Sequence, residues 1–195
     1  MTAIRLRDFR RTDAEDLNRM AVSAFNQFRD HYDDWPAMRA RLSETSALSA
    51  SGEIILAEHK DRIAGAVAYF GPDSPKAEFF DQRWPIIRML VVDPALRGEG
   101  IGRALSEACI AKARRDAAPI IALHTSPIMS VALPMYLKMG FVKAHDAPPI
   151  FGVAYVFFRI QNAVMKGGIR PPEEEELAGM DLPEMGALAY PEFTL

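Results

Sequence analysis

The sequence has few of the residues that cross-link small folds or bind metals. Cys109 is the only cysteine among 195 residues, which excludes a disulfide framework and a cysteine-based zinc site. The four histidines are scattered, without the i, i+4 pairing typical of a metal site on a helix. We therefore predict a protein that holds no metal and that folds in a reducing compartment.

The sequence also lacks an uninterrupted apolar run of membrane length. Residues 117–137 contain no Lys, Arg, Asp or Glu, but three prolines, His124 and several hydroxyl side chains interrupt the stretch. The N-terminal region is charged from Arg5 onward and shows no apolar signal core. A net charge of −3 and a pI near 5.8 argue against a nucleic-acid partner. We predict a cytoplasmic protein that binds neither membranes nor nucleic acids.

Hydrophobic patterning predicts one mixed α/β domain over residues 1–160. Predicted helices begin after Thr12, after Pro36, in a glycine-bearing loop after Val92, and near Ala132. The predicted strands cover residues 4–9, 53–59, 62–70, 86–92, 120–125, 141–144 and 151–160. This order predicts a mixed sheet with right-handed crossovers around its central strands.

The segment 161–195 differs in composition from the body. Between Pro171 and Leu195 there are seven acidic residues, four prolines and no Lys or Arg. Residues 171–195 therefore carry −7, which leaves +4 for residues 1–170. We predict an acidic tail that is extended on the surface or partly disordered. Its scattered apolar side chains leave two docking sites open, the body itself or a second subunit in a homodimer.

A strand-to-helix junction in the middle of the chain carries the clearest chemical signal. The strand over residues 86–92 leads into the loop Arg97-Gly-Glu-Gly-Ile-Gly-Arg103. Glycines let backbone N–H groups approach a ligand closely, and a helix N-terminus offers unpaired N–H groups and a positive dipole end. Arg97 and Arg103 add two cations. The junction is therefore suited to a phosphate or pyrophosphate.

Two common nucleotide-binding motifs do not fit this loop. A P-loop needs Gly, four residues and then Gly-Lys-Ser/Thr, and that spacing is missing from the sequence. The dinucleotide fingerprint needs a glycine at position 103, which is Arg103, and belongs to the first βα unit of its domain. Both interpretations are excluded by spacing.

The junction instead resembles the acetyl-coenzyme A (acetyl-CoA) signature of the GNAT superfamily of N-acetyltransferases. The resemblance lies in Arg97-x-x-Gly100-x-Gly102 after a strand that ends Leu90-Val-Val-Asp-Pro. Downstream, Ala132-Leu-Pro-Met-Tyr-Leu-Lys-Met-Gly-Phe141 resembles the Ala-x-x-x-Tyr-x-x-x-Gly-Phe helix end of the same superfamily. The resemblance covers residues 3–160. It implies a mixed, mostly antiparallel sheet whose central parallel strand pair splays apart between flanking helices.

The resemblance also implies acetyl-CoA as the cofactor and assigns its binding residues. Backbone amides of the loop hold the pyrophosphate, and the central strand pairs its backbone with pantetheine. The implied cofactor-binding residues are Leu90, Val91, Val92, Arg97, Gly98, Glu99, Gly100, Ile101, Gly102 and Arg103.

The resemblance places proton transfer on Tyr136, which sits near the sulfur in such proteins and protonates the departing thiolate. Many relatives carry a glutamate as general base where this chain has Arg88. His124 is our first substitute, because an unperturbed imidazole has a pKa of about 6.5. A carboxylate with an ordered water is the alternative, with Glu78 or Asp81 as candidates.

The acceptor site is implied by two segments, 31–35 and 79–84, which mix aromatic residues with aspartates and would suit a cationic amine. The predicted function is direct transfer of an acetyl group to a primary amine of a small molecule or peptide. Alternatives remain open, namely a different acyl donor or an oxygen acceptor. A cofactor-binding sensor without turnover is also open, since Arg88 and Met129 replace residues common in relatives.

Overall fold

A computed structural model describes residues 4–77 and 80–161 of the chain. The candidate base Glu78 and the predicted acidic tail beyond residue 161 lie outside the described residues. The strands are β1 (Arg5–Asp8), β2 (Glu53–His59), β3 (Arg62–Phe70), β4 (Ile86–Val92), β5 (Ile120–Thr125), β6 (Val142–Ile150) and β7 (Val153–Gln161). The helices are α1 (Ala14–Phe25), α2 (Trp35–Leu42), α3 (Ile101–Arg115) and α4 (Ala132–Lys138).

The seven strands form one sheet in the order β1-β2-β3-β4-β5-β7-β6. The central β4 and β5 are parallel, and every other neighbouring pair is antiparallel. The chain passes between the parallel strands through α3, because parallel neighbours need a long crossover. The predicted mixed, mostly antiparallel α/β fold is confirmed.

The parallel pair separates soon after it begins. Only Ile86 and Ile87 of β4 pair with β5, opposite Ala122 and Leu123. At Met89 the backbone has φ +50°, and the register of β4 against β3 slips at the same level. A bulge of this kind bends its strand and redirects it. The far half of β4 therefore leaves β5, which produces the predicted splay.

Helices cover both faces of the sheet, each over its own apolar cluster. On the α1/α2 face, the helices bury residues such as Leu17 and Leu42 in the same cluster as Ile86 of β4 and Ala122 of β5. On the α3/α4 face, Leu105 and Phe141 pack on the opposite side of the same strands. Successive side chains of a strand point to opposite faces, so each strand contributes to both clusters.

Four predicted strands, β2 to β5, have the observed bounds, but the strand predicted at 141–144 was too short. The observed β6 continues to Ile150 through Pro148 and Pro149. This extension is tolerated because β6 lies at the edge of the sheet, where a missing N–H need not break a ladder. The predicted strand therefore missed residues 145–150 of β6.

The described residues also bear on two expected absences. In residues 4–77 and 80–161, no helix has the length and apolar content to cross a bilayer. Within the same residues, no three His, Cys, Asp or Glu side chains are grouped as metal ligands. That the protein works without a metal stays a prediction.

We expect Gly65→Ala to destabilise the fold and displace the start of α3. A Cβ at Gly65 would lie 2.8 Å from Cγ2 of Ile101 and 3.0 Å from the carbonyl oxygen of Val91. Overpacking of this kind costs about 1–3 kcal/mol of unfolding free energy, measurable by urea denaturation. As a control, a Cβ at Gly71 would meet its nearest atom at 3.4 Å, so Gly71→Ala should be close to neutral. Equal stability of the two variants would contradict the packing argument.

Candidate active site

A cavity of about 490 Å³ lies where β4 leaves β5. Its walls come from the end of β4, the loop before α3, the first turn of α3, the start of α4 and the C-terminal end of α1. Apart from Met129 and the implied cofactor-binding residues, the lining residues are Ala24, Phe25, Gln27, Phe28, Leu96, Ser130, Val131, Ala132, Pro134, Met135 and Lys138. The wall formed by β4 is largely apolar, and the wall at the N-terminus of α3 is polar.

The first turn of α3 presents free backbone N–H groups to the cavity. The helix begins at Ile101, after Gly98 at φ +86° and Gly100 at φ +79°. The first N–H groups of a helix have no partner inside it, and the earliest helical bond runs from Ala104 back to Gly100. A Cβ at Gly98 or Gly100 would meet no atom within 4 Å. These glycines therefore serve the left-handed backbone, and the space above them is open to a ligand.

Arg97 ties this loop to the opposite wall. Its Nη1 donates to Oε1 of Gln27 at 2.8 Å, and its Nη2 donates to the carbonyl oxygen of Ala24 at 2.9 Å. The guanidinium thereby satisfies a carbonyl near the C-terminal end of α1, where cations are favoured. Arg97 lines the cavity and also holds its two sides together.

Two further cations lie at the mouth of the cavity. Arg103 is exposed and pairs with Glu107 one turn further along α3, at 2.8 Å. Lys138 lines the cavity from α4, and sequence reasoning missed it. Its spacing of three from the cavity-lining Met135 was the available signal, because residues i and i+3 share a helix face.

Nine of the ten implied cofactor-binding residues line this one cavity. They are Leu90, Val91, Val92, Arg97, Gly98, Gly100, Ile101, Gly102 and Arg103. Glu99, the tenth, is exposed and does not belong to the lining. The structure therefore brings together residues from a strand, a loop and a helix that the sequence grouped only by motif.

Tyr136 does not reach the cavity. Its side chain is 4% exposed, and its hydroxyl is hydrogen-bonded to Ser106 of α3. The Ser106 hydroxyl donates its single proton to the carbonyl oxygen of Gly102 at 2.9 Å, so Tyr136 is the donor to Ser106. Burial raises the pKa of Tyr136 above its usual value of 10. The tyrosine is protonated and links α4 to the first turn of α3.

His124 lies on β5, on the α1/α2 face, among aromatic rings. Its ring centroid is 5.6 Å from that of Phe80 and 5.3 Å from that of Tyr155. Burial, followed by the positive charges of Arg88 and Arg41, lowers the pKa of His124 to about 3. The imidazole is neutral at physiological pH and holds a proton far too weakly to take one from an ammonium group.

The two segments implied for the acceptor site pack against the same face. The hydroxyls of Tyr32 and Tyr155 lie 3.0 Å apart in the interior. The aspartates serve local structure: Asp34 accepts the backbone N–H of Ala37 at the start of α2. In the second segment Asp81 pairs with the side chain of Arg83 at 2.6 Å, at the protein surface. Neither of these carboxylates points to a role as a base or as an amine ligand.

The sequence was compared with family models and with known proteins. The model of the acetyltransferase (GNAT) family matches residues 14–141, more than half of the chain. The chain belongs to the GNAT family. A comparison with curated proteins found no match.

Solved structures of GNAT proteins share this fold at low sequence identity. A GCN5-related N-acetyltransferase from Rhodopseudomonas palustris is 20% identical, with a TM-score of 0.66 over 83% of this chain and 98% of its own. The yncA protein of Salmonella typhimurium, described as an acetyltransferase candidate and solved with its cofactor acetyl-CoA, is 18% identical, with a TM-score of 0.59 over 88% and 99%. A ribosomal-protein-alanine N-acetyltransferase from Brucella melitensis is 18% identical, with a TM-score of 0.59 over 80% and 99%. These structural similarities show that this chain shares the fold of the GNAT proteins.

We expect His124 to make the GNAT domain acid-sensitive. In the unfolded chain the imidazole takes up a proton near pH 6.5, whereas in the folded state it does so only near pH 3. The contribution of neutral His124 to the free energy of unfolding is therefore fully present above pH 6.5 and is lost progressively as the pH falls from 6.5 toward 3. His124→Phe should flatten the fall in unfolding free energy between pH 6.5 and 4.

The control for this prediction is His31→Gln, which changes an exposed histidine. It should leave the slope of stability against pH as in the wild type. The pKa of His145 is also lowered, by burial and by the charge of Arg159, so part of the acid sensitivity remains in both variants. Identical slopes for His124→Phe and the wild type would contradict the prediction.

Proposed function

We propose that this chain transfers an acetyl group from acetyl-CoA to a primary amine of a small molecule or peptide by direct attack. The observation that carries the proposal is the single cavity that joins the splayed edge of β4 to the open N–H groups of α3. It offers an apolar channel at one end and an anion site at the other.

The residues of the cavity fit acetyl-CoA. Acetyl-CoA supplies an acetyl group activated as a thioester. The N–H groups of Gly102 and Arg103, at the positive end of the α3 dipole, would hold its pyrophosphate. Leu90 to Val92 pair with no residue of β5 among the described residues, although Val91 and Val92 pair with β3 on their other side. The backbone groups on the β5 side would meet the amides of pantetheine. Lys138 would add a cation for a phosphate group. The Salmonella structure that contains acetyl-CoA has the same fold, which supports this assignment.

The chain's own part in the reaction is to orient the amine and to stabilise charge. A backbone N–H of the splayed strand near Val91 or Val92 would donate to the acyl oxygen as negative charge develops there. Primary amines have a pKa of about 10, and the depressed pKa of His124 prevents that imidazole from deprotonating them. We therefore propose that the amine enters in its neutral form or loses its proton to water. Of the two carboxylate candidates for the general base, Asp81 is paired with Arg83 and Glu78 lies outside the described residues.

For Tyr136 the contacts support a positioning role. The hydroxyl donates to Ser106, and Ser106 donates to the carbonyl oxygen of Gly102, in the turn whose N–H groups face the cavity. Direct protonation of the thiolate by Tyr136, which the family resemblance implies, would require this hydroxyl to leave Ser106. The two roles differ in which kinetic constant they affect.

We expect Tyr136→Phe and Ser106→Ala to behave alike. Tyr136→Phe removes one hydrogen bond of this chain and Ser106→Ala removes two, each worth about 1 kcal/mol. The KM for acetyl-CoA should rise in both variants, about threefold to tenfold in Tyr136→Phe and at least as much in Ser106→Ala, with kcat within about threefold of the wild type. Steady-state thiol release over a range of acetyl-CoA concentrations measures both constants. A fall in kcat of about a hundredfold or more in Tyr136→Phe alone would instead assign the proton-donor role.

Thermal melting with acetyl-CoA tests the proposed function directly. Binding to the folded state alone stabilises by about 2.7 kcal/mol at a hundredfold excess over Kd. The matched variants are Gly102→Asp and Gly102→Asn, because a Cβ at Gly102 meets its nearest atoms at 3.5–3.8 Å. An aspartate suits a helix N-terminus but repels a pyrophosphate. We expect the Asp variant to bind at least tenfold more weakly than the Asn variant. No melting shift in the wild type would refute the proposal.

A sensor that binds acetyl-CoA without turnover is the second candidate. The placement of Tyr136 and the neutral state of His124 favour it, since neither supplies a proton path in the cavity. Thiol release over a panel of primary amines separates the two functions. Release that depends on the amine establishes transfer, and a melting shift without release establishes the sensor.

A further inference from the structure

Arg159 is a buried cation for which neither the fold nor the proposed cofactor site provides a use. It lies on β7 and is 3% exposed. Its Nε and Nη1 atoms have no hydrogen-bond partner among the described residues. The guanidinium carbon is 5.7 Å from the ring centroid of Trp84. Two donors of a fully charged group are therefore held in the interior without an acceptor.

This arrangement is costly for a folded protein. Burial of a charge without hydrogen-bonding partners costs several kcal/mol, and arginine does not escape by losing its proton. The Trp84 ring offsets only part of that cost. The carboxylates of neighbouring segments are engaged at the surface, Asp81 with Arg83 and Asp146 with Lys143. An anion from outside the described chain is the group that would satisfy Arg159.

The position of Arg159 connects it to the reaction centre. Arg159 pairs with Ala122 of β5, and Ala122 pairs with Ile86 of β4. One residue further along β4, the pairing of the two parallel strands ends. Arg159 therefore lies close to the level of the sheet at which β4 begins to separate from β5. It is not among the residues that line the cofactor cavity.

The surroundings of Arg159 are aromatic. By strand alternation it lies on the α1/α2 face with Tyr155 and Phe157. The ring of Trp84 lies beside its guanidinium on the same face. An acceptor that approaches the splay from this face would meet apolar rings and the positive charge of Arg159, which favour an organic anion.

We propose that Arg159 is the anion-binding residue of an acceptor subsite, and that the acceptor is an amine that also carries a carboxylate, as in an amino acid. A guanidinium and a carboxylate match in charge and in planar geometry. This inference rests on the proposed acetyl transfer and names its substrate class. It replaces the expectation of a purely cationic amine held by aspartates, since Asp34 and Asp81 serve local structure.

The first experiment compares matched acceptors in the full-length protein. Each amino acid is paired with the amine that lacks its carboxylate, for example tyrosine with tyramine and histidine with histamine. We expect the wild type to favour the carboxylate-bearing member by at least tenfold in kcat/KM. Arg159→Met should reduce that preference to within about threefold, through the KM of the acceptor. The KM for acetyl-CoA should not change.

Two further variants separate direct recognition from general charge effects. Arg159→Lys keeps the charge without the planar donor set and should recover only part of the preference. Lys143→Met removes an exposed cation on the adjacent strand, opposite Phe158, and should leave the preference intact. A wild type that favours the amines without a carboxylate would overturn the inference.

The second experiment needs no turnover. Arg159→Met should melt at a higher temperature than the wild type, because an unmet buried charge is replaced by an apolar side chain. A purely structural arginine would give the opposite result. Fluorescence of Trp84 in a Trp35→Phe background should change saturably with the amino acids, and Arg159→Met should abolish the change.

Failure of this inference is distinguishable from failure of the proposed function. If acetyl-CoA raises the melting temperature but no amino acid alters Trp84 fluorescence at about 10 mM, the Arg159 subsite is refuted and acetyl transfer stands. If acetyl-CoA gives no shift, the proposed function fails. A saturable amino-acid response that Arg159→Met abolishes would then still support the anion subsite.

Discussion

The divergence of β4 from β5 is the constraint on which the rest of this structure depends. Two residues of pairing hold the strands together, and the bulge at Met89 then carries β4 away. Backbone groups that a continuous sheet would consume are left facing a gap. The same divergence brings the end of β4 over the first turn of α3. An apolar channel and the N-terminus of α3 thereby share one cavity.

The geometry of that cavity is maintained by contacts from three directions. Gly65 lets α3 approach the sheet so closely that a methyl group would not fit. Arg97 bridges the loop to the end of α1. From α4, Tyr136 reaches the first turn of α3 through Ser106. Each of these contacts joins a different element to the N-terminal region of α3 or to the loop before it, so several parts of the fold together fix the position of that turn.

Hydrogen-bond donors that have no acceptor among the described residues lie on both sides of the splay. On one side they are backbone N–H groups at the start of α3, which remain accessible to water. On the other side they are Nε and Nη1 of Arg159, which have no acceptor among residues 4–77 and 80–161 and lie beside the ring of Trp84. Selection for stability alone would favour pairing or removing the second set, because a buried charge without partners destabilises a fold.

Local pattern was sufficient for most of the fold and for the grouping of the implied cofactor-binding residues around one cavity. The bounds of β2 to β5 follow from apolar runs that end at turn residues, and nine residues of the implied cofactor set do line one cavity. Those residues are nearly contiguous in the chain, so their proximity is a local property. The edge strand β6 was misjudged, because the tolerance of Pro148 and Pro149 depends on a missing neighbour, which only the sheet order determines.

The sequence by itself therefore determined the element order, the glycine-bearing turn and the family to which the chain belongs. Tertiary structure alone decided the orientation of Tyr136 toward Ser106, the depressed pKa of His124 and the isolation of Arg159. The physical reason is that hydrogen bonding, desolvation and charge depend on neighbours from distant parts of the chain. A residue type at a motif position specifies what a side chain can do, and the packing around it specifies whether it does so.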